Sequence, residues 1–263
     1  MFSIITINFN NDVGLRRTIN SVLCQNFVEF EYIIVDGCST DDSVSILKSV
    51  DDTRVSYISE PDRGIYDALN KGVSLASRKF ILFLNSGDVL YSSKVLQKFS
   101  NVILSNRSFS GYYGLKLFAD YSPDCKDGQI ARIWFPGPSR LWRYLYGWMI
   151  PHQALLVDRE MFVKYGGFDR RFKIAADYDW LLRVFFVNRE PVLFCKFRVL
   201  VMENGGISNS SLANVLRANF EVILSWKKYY CFFPFWIFFT KPLLKICQIV
   251  RVKNAFKRLK KFN

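Results

Sequence analysis

The chain has 263 residues, of which half are hydrophobic and 17% are aromatic, and it carries a net charge of +13. This length and composition exclude a disordered chain and allow one large domain with a sizeable core. The charge is unevenly spread, because residues 214–263 contain eleven Lys or Arg and one Glu and contribute +10 of it. A partner attracted by positive charge would therefore bind mainly the C-terminal segment.

The cysteines and the N-terminal residues indicate the cellular compartment in which we expect the protein. The six cysteines are scattered, with no Cys-x-x-Cys pair and no cluster with the single histidine. This pattern argues against a zinc site or a disulfide framework and favours a reducing compartment. The chain begins directly with a strand pattern and has no signal-peptide pattern, so we expect a cytoplasmic location.

Strands and helices alternate along residues 1–88. Apolar runs rich in Ile, Val and Phe predict strands at 3–9, 32–35, 55–58 and 80–84. Segments with apolar residues at helical spacing lie between them. Alternation of this length predicts right-handed crossovers and an α/β fold with a mainly parallel central sheet.

The pattern is less regular beyond residue 110. It predicts strands at 111–121, 154–157 and 192–202, and helices at 159–165 and 177–187, while residues 122–146 look like loop. We expect one domain over residues 1–212, made of a regular half (1–105) and a less regular half (106–212). A tail of different composition follows over residues 213–263.

Polar residues follow the apolar strands at their carboxyl ends, with Asp36 after the second strand and Asn85 and Asp88 after the fourth. Ligands of open α/β sheets bind at this edge, although Asp and Asn are also ordinary capping residues there. Several such turns along one edge favour a site for a nucleotide diphosphate. Asp88 would then hold Mg²⁺ or Mn²⁺, Phe9 would offer a flat surface to the base, and Asp36 would accept from a base N–H.

Six segments together resemble the inverting family 2 glycosyltransferases, which have the GT-A fold. They are SIITINFNN, IIVDGCSTDDS, GIYDALNKG, FLNSGD, GGFD and ADYDWLLR, in the family's order over roughly residues 1–210. The members to which the chain looks most similar build bacterial surface polysaccharides such as O-antigen, capsule or colanic acid. The resemblance implies transfer of a sugar from a nucleotide-diphosphate donor.

The resemblance makes residues 1–105 the donor half and residues 106–212 the acceptor half, and it implies roles for residues of the donor half. The residues that match positions holding the base and ribose are Thr6, Phe9 and Asp36. Asn85 and Asp88 belong to the acidic metal-binding motif, and Asp88 falls on its metal-binding carboxylate. This chain departs from the family at Leu69, where many relatives have Arg, and Arg63 or Lys71 is the expected replacement.

In the acceptor half, Asp177 matches the carboxylate that deprotonates the acceptor hydroxyl, which leads to inversion at the anomeric carbon. Further candidates for contact with the acceptor or diphosphate are His152, Asp179, Trp180 and Arg183. For His152 the alternative is a polar residue in a turn before a strand, and for Trp180 and Arg183 it is packing. Residues 204–208 look like a flexible loop over the site.

The tail combines aromatic and aliphatic residues with interleaved Lys and Arg, a composition typical of segments in an anionic membrane interface. Its apolar run at 229–239 is too short to cross a membrane. A helix packed on the domain and a nucleic-acid site are the alternatives, and we expect no nucleic-acid partner. We expect a peripheral protein on the inner face of the plasma membrane, acting on a lipid-linked oligosaccharide.

Two other classes of function remain open from the residues. A sugar nucleotidyltransferase also binds nucleotides at a sheet edge, but it would be expected to show a Gly-rich, basic phosphate loop after the first strand. Residues 10–12 of this chain, Asn-Asn-Asp, are not such a loop. A non-catalytic module that binds nucleotide sugars is the other alternative.

Overall fold

Strands and helices alternate through the first part of the chain, as predicted. A computed structural model describes residues 1–122, 125–203, 211–230, 233–238 and 240. The elements up to residue 105 are β1 (Phe2–Asn8), α1 (Asp12–Leu23), β2 (Phe30–Asp36), α2 (Ser43–Lys48), β3 (Val55–Ser59), α3 (Ile65–Leu75), β4 (Phe80–Asn85), β5 (Val89–Leu90) and α4 (Val95–Ser105). The predicted α/β class is confirmed.

The second part is more irregular. Its elements are β6 (Gly111–Ser122), β7 (Cys125–Trp134), α5 (Leu141–Leu145), β8 (Leu155–Asp158), α6 (Glu160–Tyr165), α7 (Ala176–Leu181), β9 (Val192–Glu203) and α8 (Leu212–Tyr229). A wider π-helical segment, Leu182–Val187, prolongs α7. The expectation of a loop at 122–146 is wrong, because these residues contain β7 and α5. Among the described strands β7 pairs only with β6, and an edge strand needs no continuous apolar run.

One sheet runs through the domain in the order β3-β2-β1-β4-β8-β6-β9-β5, with β7 added to β6. The strands β1 to β4 of the donor half are parallel to one another, and strands of both directions follow. The register aligns Asn8 with Asp36 and Ile7 with Asn85. The polar strand ends therefore lie at one edge of the sheet.

Hydrophobic layers cover both faces of this sheet. β1 is buried along its whole length, and its neighbouring residues Ile4 and Ile5 belong to different core clusters. Successive side chains of a strand point to opposite faces, so continuous apolar runs are what a doubly covered sheet requires. α3 packs closely, because Ile5 leaves no room for a Cβ at Gly72.

The predicted tail begins with α8, and the inner face of this helix packs on the domain. Trp226 is buried and donates its indole N–H to Tyr178 Oη at 2.9 Å. The outer face carries exposed Leu216, Phe220 and Leu224. No helix within the described part of the chain is long and apolar enough to span a membrane. Most of the rest of the tail, from residue 241 onward, lies outside the described residues.

Candidate active site

A cavity of about 760 Å³ opens at the edge of the sheet where β1 and β4 end. Its wall is completed from the acceptor half by residues 152 and 153, by residues 173, 174 and 177, and by the end of β9. Five of the candidates from the sequence line it: Phe9, Asn85, Asp88, His152 and Asp177. Folding thus brings both halves of the domain to one cavity.

Phe9 lies in the turn after β1 and is 65% exposed. Asn10 fixes this turn with a φ of 49° and with its Oδ1, which accepts from the Thr40 N–H at 2.8 Å. Opposite Phe9, Gly37 approaches so closely that a Cβ there would lie 2.6 Å from Asp62 Oδ2. Phe9 and Asp62 both line the cavity beside Gly37, so an aromatic ring and a carboxylate are available there to a planar ring with N–H donors.

Asp36 is fully buried and does not line the cavity. Its Oδ1 accepts from Asn8 Nδ2 at 2.8 Å and from the Ser39 hydroxyl at 2.5 Å. Its Oδ2 accepts from the Ser39 N–H at 2.9 Å and from the Ser59 hydroxyl at 2.7 Å. Burial alone would raise the pKa of Asp36, but these hydrogen bonds outweigh it and hold the pKa below its ordinary value.

Thr6 is also fully buried, and its hydroxyl accepts from Tyr32 Oη at 3.0 Å. Asn8, which sequence reasoning did not single out, does line the cavity. While its Nδ2 bonds to Asp36, its Oδ1 is buried without a hydrogen-bond partner in the described structure. A buried acceptor of this kind needs a donor, and a ligand N–H can supply one. Asn8 could have been singled out from the sequence, because it directly precedes Phe9 at the end of the first strand.

Asp88 is 3% exposed and lies in a tight turn after β4. Its Oδ2 accepts from the Asn85 N–H at 3.1 Å, and Gly87 forms the turn with a φ of 100°. Burial raises the pKa of Asp88 to about 6, although the charge of nearby Lys116 opposes the shift. The carboxylate is therefore short of positive charge, a condition that favours binding a cation.

Lys116 is a buried charge that sequence reasoning missed. It lies on β6 at 3% exposure, and its ammonium group donates to Gln153 Oε1. Burial lowers its pKa to about 8, while Asp88 opposes that shift. A lysine within the apolar run of β6 was the available signal, because a charged residue is seldom buried unless it is paired.

The fit of a metal ion rests mainly on Asp88. Within the described residues no group of three or more His, Cys, Asp or Glu side chains could hold a metal ion. Asp88 supplies one carboxylate, and Asn85 lines the same cavity. Mg²⁺ and Mn²⁺ accept such oxygen ligands, and Mg²⁺ is commonly held by one or two carboxylates together with substrate phosphates. If a divalent ion binds, Asp88 and Asn85 are the residues that would hold it, and the phosphates of a ligand would complete its shell.

Asp177 lies in the first turn of α7 and faces two other elements. Its Oδ2 lies 2.8 Å from His152 Nδ1, and its Oδ1 accepts from Tyr66 Oη at 2.9 Å. The same tyrosine hydroxyl lies 2.6 Å from the Ile174 carbonyl. Burial would raise the pKa of Asp177, but His152 and Tyr66 outweigh it and hold the pKa at about 2. Asp177 is thus a charged carboxylate in a fixed orientation.

The other candidates of the acceptor half lie away from the cavity wall. Trp180 stacks on Phe162 at 4.4 Å between ring centroids, and Arg183 donates to the carbonyls of residues 165 and 167. Asp179 is fully buried beside Lys228 and Tyr229 of α8. In the donor half, exposed Arg63 is not among the lining residues. The expected loop at 204–208 lies outside the described residues.

Glu221 of α8 supports the segment before Asp177, a link that the sequence did not suggest. It is 4% exposed and accepts the backbone N–H groups of three successive residues at 2.8–2.9 Å. These residues are Lys173, Ile174 and Ala175. Three charge-assisted hydrogen bonds to one carboxylate fix the path of the chain that leads to Asp177.

Comparison with known sequences gives consistent matches. Residues 3–112 match the sequence model described as glycosyl transferase family 2. An uncharacterized glycosyltransferase of Mycobacterium tuberculosis is 35% identical over 201 residues, which is 74% of this chain and 74% of that protein. A PGL/p-HBAD biosynthesis glycosyltransferase of Mycobacterium bovis is 30% identical, and the alignment covers 80% of each chain.

Solved structures share the fold at low identity. TarS 1–349 of S. aureus matches with a TM-score of 0.61 at 18% identity, over 85% of this chain and 64% of that one. A structure of the same protein in complex with UDP-GlcNAc matches with a TM-score of 0.59 at 16% identity, over 87% of this chain and 73% of that one. The mannosyltransferase PcManGT from Pyrobaculum calidifontis, in complex with GDP-Man and Mn²⁺, matches with a TM-score of 0.60 at 13% identity. That match covers 86% of this chain and 63% of PcManGT.

Proposed function

Because the chain belongs to glycosyl transferase family 2 and has the GT-A fold, we propose that it is an inverting hexosyltransferase. It would move a sugar from a nucleotide-diphosphate donor to a growing bacterial surface glycan. The observation that carries the proposal is one cavity lined by Phe9 and Asp88 from the donor half and by the His152–Asp177 pair from the acceptor half. Direct displacement needs a base for the acceptor and a positive environment for the leaving group.

In this proposal the nucleotide base lies against Phe9 in the part of the cavity that Asp62 also lines, with Asn8 Oδ1 as an acceptor in the same cavity. The UDP-GlcNAc and GDP-Man complexes of proteins with this fold support a nucleotide-sugar donor. The diphosphate reaches Asp88, where a bound Mn²⁺ or Mg²⁺ would offset the charge that develops on the leaving group. Asp88 holds this position through its bond to the Asn85 N–H.

The acceptor hydroxyl approaches from the side of α7. The Asp177–His152 pair removes its proton as the oxygen attacks the anomeric carbon. The carbon–oxygen bond to the diphosphate breaks on the opposite face, which inverts the configuration. Tyr66 keeps the Asp177 carboxylate in place through its 2.9 Å hydrogen bond.

A donor screen tests the proposal. Thermal shift against UDP-, GDP- and dTDP-sugars with Mn²⁺ identifies the nucleotide, and release of nucleoside diphosphate then reports turnover. We expect one nucleotide class to bind and to be turned over, and Asp88→Asn to lower turnover and the response to Mn²⁺. Binding without any release, even with lipid-linked acceptors, would instead identify a non-catalytic module.

We also propose that the acceptor is a lipid-linked oligosaccharide and that the tail holds the enzyme on the inner face of the plasma membrane. The exposed apolar residues of α8 and the basic residues that follow it support this proposal. Residues 241–263 alone contain eight Lys or Arg. Each basic residue near an anionic bilayer contributes about 1 kcal/mol of attraction.

Truncation after residue 240 tests the membrane proposal and leaves the packed part of α8 intact. Flotation with phosphatidylglycerol vesicles should recover the full chain, and the truncated chain at least about ten-fold less. Neutral phosphatidylcholine vesicles serve as the control and should recover little of either. Equal flotation of both chains on anionic vesicles would contradict a role for the tail.

A further inference from the structure

Both oxygens of the Asp177 carboxylate are already engaged. Oδ1 accepts from Tyr66 and Oδ2 lies against His152 Nδ1, at 2.9 and 2.8 Å. These contacts fix the carboxylate against the ring of His152. Against burial, the charge of a protonated His152 and the hydrogen bonds from His152 and Tyr66 hold the pKa of Asp177 at about 2. When the pair holds one proton, that proton therefore stays on the imidazole ring and not on the carboxylate.

In the pair formed by Asp177 and His152, the atom available to a substrate is Nε2 of His152. With Nδ1 directed at a carboxylate, the neutral ring carries its proton on Nδ1 and has its lone pair on Nε2. No described residue forms a hydrogen bond with Nε2. The side chain is 25% exposed and lines the cavity, and it lies in a 3₁₀ turn (His152–Ala154) closed by the Ala154 N–H to the Pro151 carbonyl at 2.9 Å.

We infer that Nε2 of His152 is the atom that takes the proton from the acceptor hydroxyl, while Asp177 holds the ring and balances its charge. This inference rests on the proposed function, and it specifies which atom of the Asp177–His152 pair accepts the proton. The O–H bond of the acceptor breaks and its proton goes to Nε2. The oxygen forms a bond to the anomeric carbon, and the electron pair of the cleaved bond leaves with the diphosphate.

Charged groups around the ring are compatible with an imidazolium ion. Asp177 faces it from α7, and the charge of His152 also acts on Asp88, beyond β4. Glu203 at the end of β9 and Lys173 before α7 line the same cavity. Lys116, on β6, is the buried cation whose charge acts on Asp88 and Asp177. A carboxylate directly on Nδ1 stabilises the protonated ring, as in Ser-His-Asp enzymes.

Chemical rescue distinguishes a proton acceptor from a structural residue. His152→Ala should lower transfer about a thousand-fold and leave nucleotide binding unchanged, and added imidazole should restore at least about ten-fold. Asp177→Asn leaves the protein with its own imidazole ring at His152, so added imidazole should not rescue this variant. The double variant should be no slower than the slower single variant, because the two residues act as a unit.

The pH profile gives an independent readout. A protonated imidazole ring has no lone pair left on Nε2 and cannot accept a proton. In the wild type, kcat/KM should therefore fall as the medium becomes more acidic. His152→Gln should lose this limb.

Two results would overturn the inference: His152→Gln that keeps more than about a third of wild-type kcat, or His152→Ala that imidazole does not rescue although it binds nucleotide normally. Asp177 itself would then be the base. Failure of the proposed function is distinguishable, because the wild type would release no nucleoside diphosphate from any donor sugar.

Discussion

Asp36 at the end of β2 and Asp177 at the start of α7 are two carboxylates in opposite surroundings. Asp36 is fully buried, and its four hydrogen bonds come from Asn8, Ser39 and Ser59, all within the donor half. Asp177 is held by Tyr66 and His152 and lines the cavity. A carboxylate accepts about four hydrogen bonds, so Asp36 has no capacity left for a ligand. The comparison teaches that saturation by neighbours separates a structural carboxylate from one that can act in the site.

The same substitution at both residues gives the sharpest contrast, and the larger effect is expected at Asp177. Asp177→Asn should lower sugar transfer about a thousand-fold, since an amide can neither carry the charge nor hold His152 in its proton-accepting form. Affinity for the nucleoside diphosphate should stay unchanged. Steady-state transfer and calorimetric titration check the two expectations. Near-normal turnover would show that the pair does not handle the proton.

Asp36→Asn should act on stability instead. An amide presents two N–H groups to a pocket of donors, which leaves buried groups unsatisfied and costs about 3 kcal/mol. For a domain of this size the melting temperature should fall by about 6–12 °C. Thermal unfolding and donor titration test this. A weaker donor affinity at an unchanged melting temperature would mean that Asp36 contacts the nucleotide, as the family resemblance implies.

The sequence shows both carboxylates as acidic residues at the ends of elements, and the apolar runs of β1, β2 and β4 locate the sheet edge. It does not separate their roles. Ser59 reaches Asp36 only because β2 pairs with β3, and this pairing is a tertiary property. Likewise no local spacing encodes the contact between the turn at His152 and α7. What the sequence predicted well was the regular half, where each strand is buried on both faces.

The acceptor half was less predictable for a physical reason. β7 is an edge strand with polar residues, and α5 is short, so neither has the periodic apolar pattern that identifies an element. The sequence also did not predict that α8 supports the segment before Asp177. Glu221 is one acidic residue in a segment that otherwise has the composition of a membrane-associated tail.

Glu221→Gln tests that support and should have an intermediate effect. Replacing a charged acceptor of three backbone N–H groups by a neutral one costs about 2 kcal/mol. Amides 173–175 should exchange hydrogen faster, and transfer should fall several-fold, because Asp177 follows this segment. Arg217→Gln is the matched control, since half-exposed Arg217 meets Glu221 at 3.2 Å and an ion pair with such an exposed partner contributes about 1 kcal/mol or less. Equal effects of both variants would argue against the backbone role.

Thr6→Val is expected to have the smallest effect. It tests whether Thr6, a second buried polar residue of the donor half, has a structural role like that of Asp36. The substitution keeps the shape of the side chain but removes the acceptor for Tyr32 Oη, so unfolding should become easier by about 1 kcal/mol. Adding Tyr32→Phe should restore most of the loss, because no buried donor then lacks a partner. Donor affinity should stay constant throughout the cycle. A drop in affinity caused by Thr6→Val alone would instead indicate that Thr6 reaches the nucleotide, and saturation by neighbours would then fail as a criterion for a structural group.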